Sequence, residues 1–265
     1  MGVTGPPGGG KSTLVARLVD AYRGQGKSVA VVAVDPSSPF TGGAILGDRI
    51  RMRERFLDAG VFIRSMATRG NAGGLARSTG RVVTVLDAFG HDVVIVETVG
   101  VGQEEVQVVR LVDTVCLITV PGLGDDVQAI KAGVLEIADV LVVNKADRPG
   151  AVEAARDLRY MLSLGHSHSG WQPLIVRTSA TTGDGVPELV AAIDSHDAWS
   201  RQSGDRARRR LDAARVEIET LLREELLRRI EAWRGEGYAA VLERVAARAL
   251  DPYSAVEEIL NAEAG

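Results

Sequence analysis

A doubly wound α/β fold on a mostly parallel sheet is predicted by three observations. Short Val- and Ile-rich runs recur along the chain: "SVAVVAVD" (28–35), "DVVIVET" (92–98), "TVCLITV" (114–120), "DVLVVNKAD" (139–147) and "PLIVRTSA" (173–180). Nearly continuous apolar runs of this length fit strands buried on both faces, as in a parallel sheet covered by helices. Between them, "KSTLVARLVDAYRGQG" (11–26) and "DDVQAIKAGVLEIA" (125–138) carry apolar residues at helical spacing. A glycine-rich loop near the front opens directly onto the first of these helical stretches. In such folds ligands bind at the carboxyl ends of the strands.

Composition limits what the chain can be. Its 265 residues can bury one α/β core, with room for an appendage. Apolar residues at 45% and charged residues at 25% are ordinary for a globular protein, whereas aromatics at 4% leave the core to Val, Leu, Ile and Ala. A net charge of −4 argues against a nucleic-acid role driven by phosphate neutralisation. Cys116 is the only cysteine, which excludes a disulfide framework and fits a reducing compartment. The apolar runs are far too short to span a bilayer, and no charged-then-apolar leader precedes the first motif. The expectation is a cytoplasmic protein with no membrane or nucleic-acid partner.

The first element is the loop itself. "GPPGGGKS", Gly5 to Ser12, fits G-x-x-x-x-G-K-[ST] ahead of a helix. Its glycines let backbone N–H groups turn inward around an anion, and the helix N-terminus adds partial positive charge. Lys11 is expected at the β- and γ-phosphates, and the Ser12 hydroxyl on Mg²⁺. Met1 to Thr4 supply fewer residues than the usual five or six of a strand. That shortness predicts either an unusually short first strand or, as the favoured expectation, a start further upstream.

The next strand ends supply acids. Asp35 closes "VAVVAVD" and Glu97 closes "DVVIVE". A carboxylate at either place can hold Mg²⁺ through its water shell, since Mg²⁺ keeps several waters and few protein ligands. Gly100 follows in "ETVGVG", where a backbone N–H can meet a γ-phosphate in a switch loop. Gln103 and Glu104 lie in the same loop, and both stand as candidates to position the attacking water.

The base is read further on. Asn144, Lys145 and Asp147 form N-K-x-D at the end of "DVLVVNKAD". Guanine offers two adjacent N–H donors that a fixed carboxylate accepts as a pair; adenine would leave the Asp147 carboxylate unpaired. Asn144 is expected to brace the loop and the Lys145 stem to cover the base. "TSATTG" (178–183) follows the next strand, with Ser179, Ala180 and Thr181 where a backbone element touches the guanine O6. The expected ligands are GTP or GDP with Mg²⁺.

After about Ser200 the composition changes. From Asp205 to Arg234 the chain is Arg/Glu-rich, with Leu211, Ala214, Ile218, Leu222, Leu226, Ile230 and Trp233 at helical spacing. Further helices are expected at 236–250 and from "DPYSAVEEIL". Three helices without a strand cannot extend a sheet. They read as a helical arm, 201–265, beside a nucleotide-binding domain, 1–200, with an apolar stripe that packs on that domain or on a second subunit.

Four stretches together carry a resemblance to a known family: "DPSSPFTGGAILGDRIRM" (35–52), "ETVGVGQEE" (97–105), "PGLGDDVQAIKAG" (121–133) and "LDPYSAVEEIL" (250–260). They resemble the P-loop GTPases that accompany adenosylcobalamin-dependent methylmalonyl-CoA mutase. This group contains the bacterial MeaB (ArgK-like) chaperone and its human methylmalonic-aciduria counterpart. The likeness covers essentially the whole chain. It implies a homodimeric GTPase that gates cofactor delivery to an acyl-CoA mutase and protects or reactivates it.

By motif, Gly5, Pro6, Pro7, Gly8, Gly9, Gly10, Lys11, Ser12 and Thr13 resemble the phosphate loop. Asp35 to Asp48 resemble the first switch, with Asp35 and Asp48 joining Ser12 and Glu97 as metal residues. Glu97 to Gln103 resemble the second switch, so that Lys11, Glu97, Gly100 and Gln103 become the catalytic candidates. Gly122 to Lys131 look like a third, partner-sensing switch in which Asp125 and Lys131 couple nucleotide to mutase. The C-terminal helices match the family's dimerisation arm. The chain departs from its relatives at Ala44, where Ser is frequent, and at "DRIRM" (48–52); the resemblance implies a helical extension ahead of the first strand.

Three rival readings share the motifs. A nickel-insertion GTPase would need soft or imidazole ligands, against one Cys and four His here; His166 and His168 sit in a Ser/Gly-rich loop. An ATP-dependent small-molecule kinase is opposed by Asp147. A binding module that holds GTP as a switch remains open, as does a client such as isobutyryl- or ethylmalonyl-CoA mutase.

Overall fold

A computed structural model of the chain describes residues 1–35, 55, 57–67, 72–98, 112–122, 135–164, 170–232 and 236–262. Among the described residues seven strands are formed: β1 (Gly2–Thr4), β2 (Val29–Asp35), β3 (Val61–Ala67), β4 (Val93–Glu97), β5 (Val115–Thr119), β6 (Val140–Val143) and β7 (Leu174–Arg177). Seven described helices accompany them: α1 (Lys11–Gly24), α2 (Ala72–Ala88), α3 (Ala151–Leu164), α4 (Val186–Gln202), α5 (Asp205–Ala232), α6 (Glu236–Ala246) and α7 (Pro252–Ala262). The strands make one sheet in the order β3-β2-β4-β1-β5-β6-β7, and every pairing is parallel. The fold is the doubly wound α/β architecture that the apolar runs predict.

Alternation along each strand divides the core into layers. Val29 and Val31 of β2, with Val140 and Val142 of β6, face a cluster with Leu14, Leu18 and Tyr22 of α1 and Leu189 and Ile193 of α4. The intervening Ala30, Val32 and Val34 face Leu86 of α2. Leu141 and Val143 face Ala151, Ala155 and Leu158 of α3. The sheet is thus covered on both faces, which is why its central strands carry almost no polar residues. Burial pushes the Cys116 thiol in β5 up to about 12.

β3 escapes the apolar-run criterion. Among the described residues it is an edge strand, paired with β2 alone, and its "VFIRSMA" puts Arg64 and Ser65 among the apolar positions. The expected strands at 139–147 and 173–180 end sooner than their apolar runs, at Val143 and Arg177. The chain turns out of the sheet at Lys145, whose φ is 58°. Of the expected helix at 125–138, residues 125–134 lie outside the described residues, and Leu135–Ile137 is a 3₁₀ turn.

The chain divides into two compact units, Met1–Leu211 and Asp212–Gly265. In the first, the opening turns of α5 are held by a buried polar network at the amino ends of β5 and β6. Asp139 Oδ2 accepts from Val115 N at 2.8 Å and from Arg209 Nη1 at 3.0 Å. Asp139 Oδ1 accepts from Arg209 Nη2 at 2.7 Å and lies 3.2 Å from His196 Nε2. The His196 Nδ1 is 2.9 Å from Thr114 Oγ1, and its ring packs with Trp171 and Trp199. Burial alone would raise the Asp139 carboxyl, but His196 and Arg209 hold it below the usual carboxylate range. Beside it, Arg206 and Arg210 both pair with Asp113.

In the second unit, α6 and α7 pack around Val241 and Ala255. Asp251 caps α7 by accepting from Tyr253 N and Ser254 N, each at 3.0 Å. Arg244 pairs with Glu258 at 2.8 Å. No described helix is long and apolar enough to cross a membrane.

Candidate functional site

β1 lies at the centre of the sheet, between β4 and β5, so the loop after Thr4 opens at the carboxyl ends of three adjacent strands. The turn depends on two glycines. Gly5 has φ 149°, and a Cβ there would stand 2.5 Å from Ile118 O. Gly10, the residue before α1, has φ 86°, and a Cβ there would stand 2.4 Å from Asn144 Nδ2. Both positions combine a left-handed backbone with a close neighbour, so no side chain fits without displacement.

Inside the turn, Lys11 Nζ donates to Gly5 O at 2.9 Å and Pro6 O at 3.0 Å. Lys11 is buried, which sets its charge in the loop at the N-terminus of α1. Positive charge, helix dipole and inward N–H groups there suit an anion. Ser12 Oγ donates to Glu97 Oε1 at 2.6 Å, both side chains being buried. A hydroxyl and a carboxylate brought together beside a phosphate loop are hard oxygen donors of the kind Mg²⁺ takes, so these residues fit that ion. Next to them, Thr98 Oγ1 donates to Thr4 Oγ1 at 2.9 Å, tying the ends of β4 and β1.

The N-K-x-D segment reaches the same loop from β6. Asn144 Nδ2 donates to Gly9 O at 2.8 Å. Its Oδ1 accepts from Thr178 Oγ1 at 3.1 Å and from Ala180 N at 3.2 Å. One buried amide therefore joins the phosphate loop to the segment after β7. Lys145 Nζ donates to Gly8 O at 2.7 Å, laying its stem from one loop to the other. Ser179 Oγ donates to Asp147 Oδ1 at 2.9 Å, which fixes that carboxylate. From α1, Arg17 Nε donates to Ala180 O at 3.0 Å and Arg17 Nη2 to Thr181 O at 2.6 Å.

The structure thus gathers Gly5 to Ser12, Glu97, Asn144, Lys145, Asp147, Ser179, Ala180 and Thr181 around the carboxyl ends of β1, β4, β6 and β7. Asp35 is the last residue of β2, in register with Ala67. Asp48, Gly100, Gln103, Glu104, Asp125, Lys131, His166 and His168 lie outside the described residues. Among the described residues, no group of three or more His, Cys, Asp or Glu is arranged to hold a metal by itself. Arg17, Thr98 and Thr178 join the site without a sequence signal for their roles. Arg17 belongs to no motif and is placed only when the strands pair, whereas Thr98 and Thr178 lie inside the 97–105 and 178–183 stretches as residues given no role of their own.

Comparison with known proteins identifies the family. The family model described as methylmalonyl-CoA mutase-associated GTPase MeaB matches residues 1–234. A protein of Pyrococcus horikoshii described as a GTPase is 50% identical over 264 residues, covering 98% of this chain and 83% of its own. The mitochondrial methylmalonic aciduria type A homolog of Mus musculus is 34% identical over 268 residues, covering 99% of this chain and 65% of its own. Among solved structures, one described as a LAO/AO transport system kinase superposes with a TM-score of 0.72 at 29% identity. It covers 100% of this chain and 81% of its own.

Proposed function

This chain belongs to the family of methylmalonyl-CoA mutase-associated GTPases, and on that premise we propose that it is a GTP-hydrolysing chaperone of an acyl-CoA mutase. Its client is an adenosylcobalamin-dependent enzyme, methylmalonyl-CoA mutase first among them. The chaperone gates cofactor loading and protects or reactivates the client in the cytoplasm. The observation that carries the guanine-nucleotide reading is Asn144. Its amide grips Gly9 in the phosphate loop and Ala180 in the base loop at once, so phosphates and base are bound by one connected surface.

Hydrolysis adds a water oxygen to the γ-phosphorus while the bond from that phosphorus to the β–γ bridging oxygen breaks, giving GDP and phosphate. The work of the protein is to position groups and stabilise charge. Lys11 and the N-terminal N–H groups of α1 offset the charge spread over the phosphoryl oxygens. Asp147, held by Ser179, accepts the paired donors of guanine. Ser12 and Glu97 would hold Mg²⁺, with Asp35 and Asp48 as further acids, and the ion would supply charge neutralisation. Gly100 and Gln103 are the remaining catalytic candidates. Turnover is slow alone and rises when the client binds.

A homodimer through the C-terminal helices is part of the proposal. Supporting it, Ile218, Leu222 and Leu226 of α5 are between 46% and 58% exposed, an apolar stripe that a second subunit would bury. The deciding experiment compares GTP turnover of the wild type with and without purified methylmalonyl-CoA mutase. Stimulation by the mutase, lost in Lys11→Ala, is the expected result. An unchanged rate at saturating mutase would remove the client assignment and leave the GTPase.

A further inference from the structure

The base loop after β7 is held from behind by a residue of the phosphate-binding helix. Arg17 stands six residues beyond Lys11 on α1. Its guanidinium donates through Nε to Ala180 O at 3.0 Å and through Nη2 to Thr181 O at 2.6 Å. These are consecutive carbonyls, spanned by one rigid planar fork. In a trans peptide the carbonyl and the following N–H point to opposite edges. Fixing Ala180 O and Thr181 O on the α1 side therefore turns the Thr181 and Thr182 N–H groups away from it. The rest of the loop is closed by its own bonds. Gly183 N donates to Ser179 O at 2.8 Å, Ser179 N to Asp184 O at 2.9 Å, and Ala180 N to Asn144 Oδ1 at 3.2 Å.

We propose that Arg17 is a positioning residue for base specificity: it orients the Thr181 and Thr182 N–H groups toward the 6-oxo group of the purine. This rests on the guanine-nucleotide reading above. Arg17 acts through the loop and touches no ligand. Because it rides on the helix whose first turn grips phosphate, it also keeps the base and phosphate subsites at a fixed spacing. α1 supplies that rigidity, with Leu14, Val15, Leu18 and Val19 all buried in the core.

The test separates orientation from bulk stability by using two ligands. Binding of GDP and of 2-aminopurine riboside 5′-diphosphate, which lacks the 6-oxo group, is measured by calorimetry for wild type, Arg17→Ala and Arg17→Lys. The expected result is a loss of about tenfold for GDP in Arg17→Ala, with affinity for the analogue unchanged within about twofold. Arg17→Lys, which can offer one donor to one carbonyl, falls between wild type and Arg17→Ala for GDP. Equal losses for the two nucleotides, or no loss for either, would overturn the positioning role. A wild type that binds both nucleotides alike would instead overturn the base-loop reading on which the role depends, and is told apart by appearing before any substitution is made.

Discussion

Replacing Asp139 by Asn keeps the size of the side chain and removes the charge that Arg209 and His196 face. In the folded chain both Asp139 oxygens accept, from Val115 N, Arg209 Nη1 and Arg209 Nη2, at 2.8, 3.0 and 2.7 Å. The substituted amide would keep one acceptor and turn an NH₂ toward a donor. Breaking a buried ion pair by neutralising one partner costs about 3–5 kcal/mol. Arg209 is partly exposed and retains a bond to Asp205 at 2.6 Å, so the lower end applies, about 3 kcal/mol. For a unit of this size each kcal/mol lowers Tm by about 2–4 °C, so the expected drop is about 6–12 °C. The assay is thermal unfolding by circular dichroism of Asp139→Asn, Arg209→Ala and the double variant. The double variant should melt close to the worse single one, since both remove the same pair. A drop below about 2 °C, or strictly additive effects, would refute the pairing as the source of stability.

Three further outcomes follow from the same structure. Burial works against ionisation at Asp139 and Asp113, yet His196 and Arg209 at the first, and Arg210 and Arg206 at the second, leave both carboxyls depressed. Their contribution is complete above the unfolded value of about 4 and is lost as pH falls through the lower folded values; Tm should drop below about pH 4, less steeply in Asp139→Asn. Gly10→Ala must push aside the Asn144 amide and should weaken GDP binding at least about tenfold by calorimetry. Gly8→Ala, also at positive φ but with no neighbour within 4 Å, should lose less. The Cys116 thiol, buried and pushed up to about 12, should resist iodoacetamide at pH 8 in native protein and react promptly in urea, as read by mass spectrometry.

What was legible in the sequence was what depends on short spacings. The apolar runs of β2, β4, β5, β6 and β7 announce buried parallel strands, and the motif spacings tell which strand ends face one ligand. β3 was hidden because an edge strand need not be apolar throughout, and Arg64 and Ser65 break its run. α2 was hidden by its opening "AGGLARSTG", where Gly73, Gly74 and Gly80 weaken the helical pattern. The contacts of Asn144 with Gly9, of Arg17 with Ala180, and of Asp139 with Arg209 join residues separated by 135, 163 and 70 positions. Only the strand order brings such partners together, and local pattern carries no record of it.

The place of β1 in the sheet has a consequence for how the protein acquires its activity. Gly2 pairs with Val96 on one side and Val115 on the other, whereas β2 and β3 join residues about thirty positions apart. Loop-closure entropy favours the nearer pairing first, so the β2–β3 edge can form while the centre of the sheet is still open. During synthesis the three residues of β1 must wait until β4 and β5 have both left the ribosome. The phosphate loop inherits that delay, and Gly10 waits longer still for Asn144. Nucleotide is therefore captured only by a chain whose central sheet has closed, which makes GDP retention a readout of completed folding.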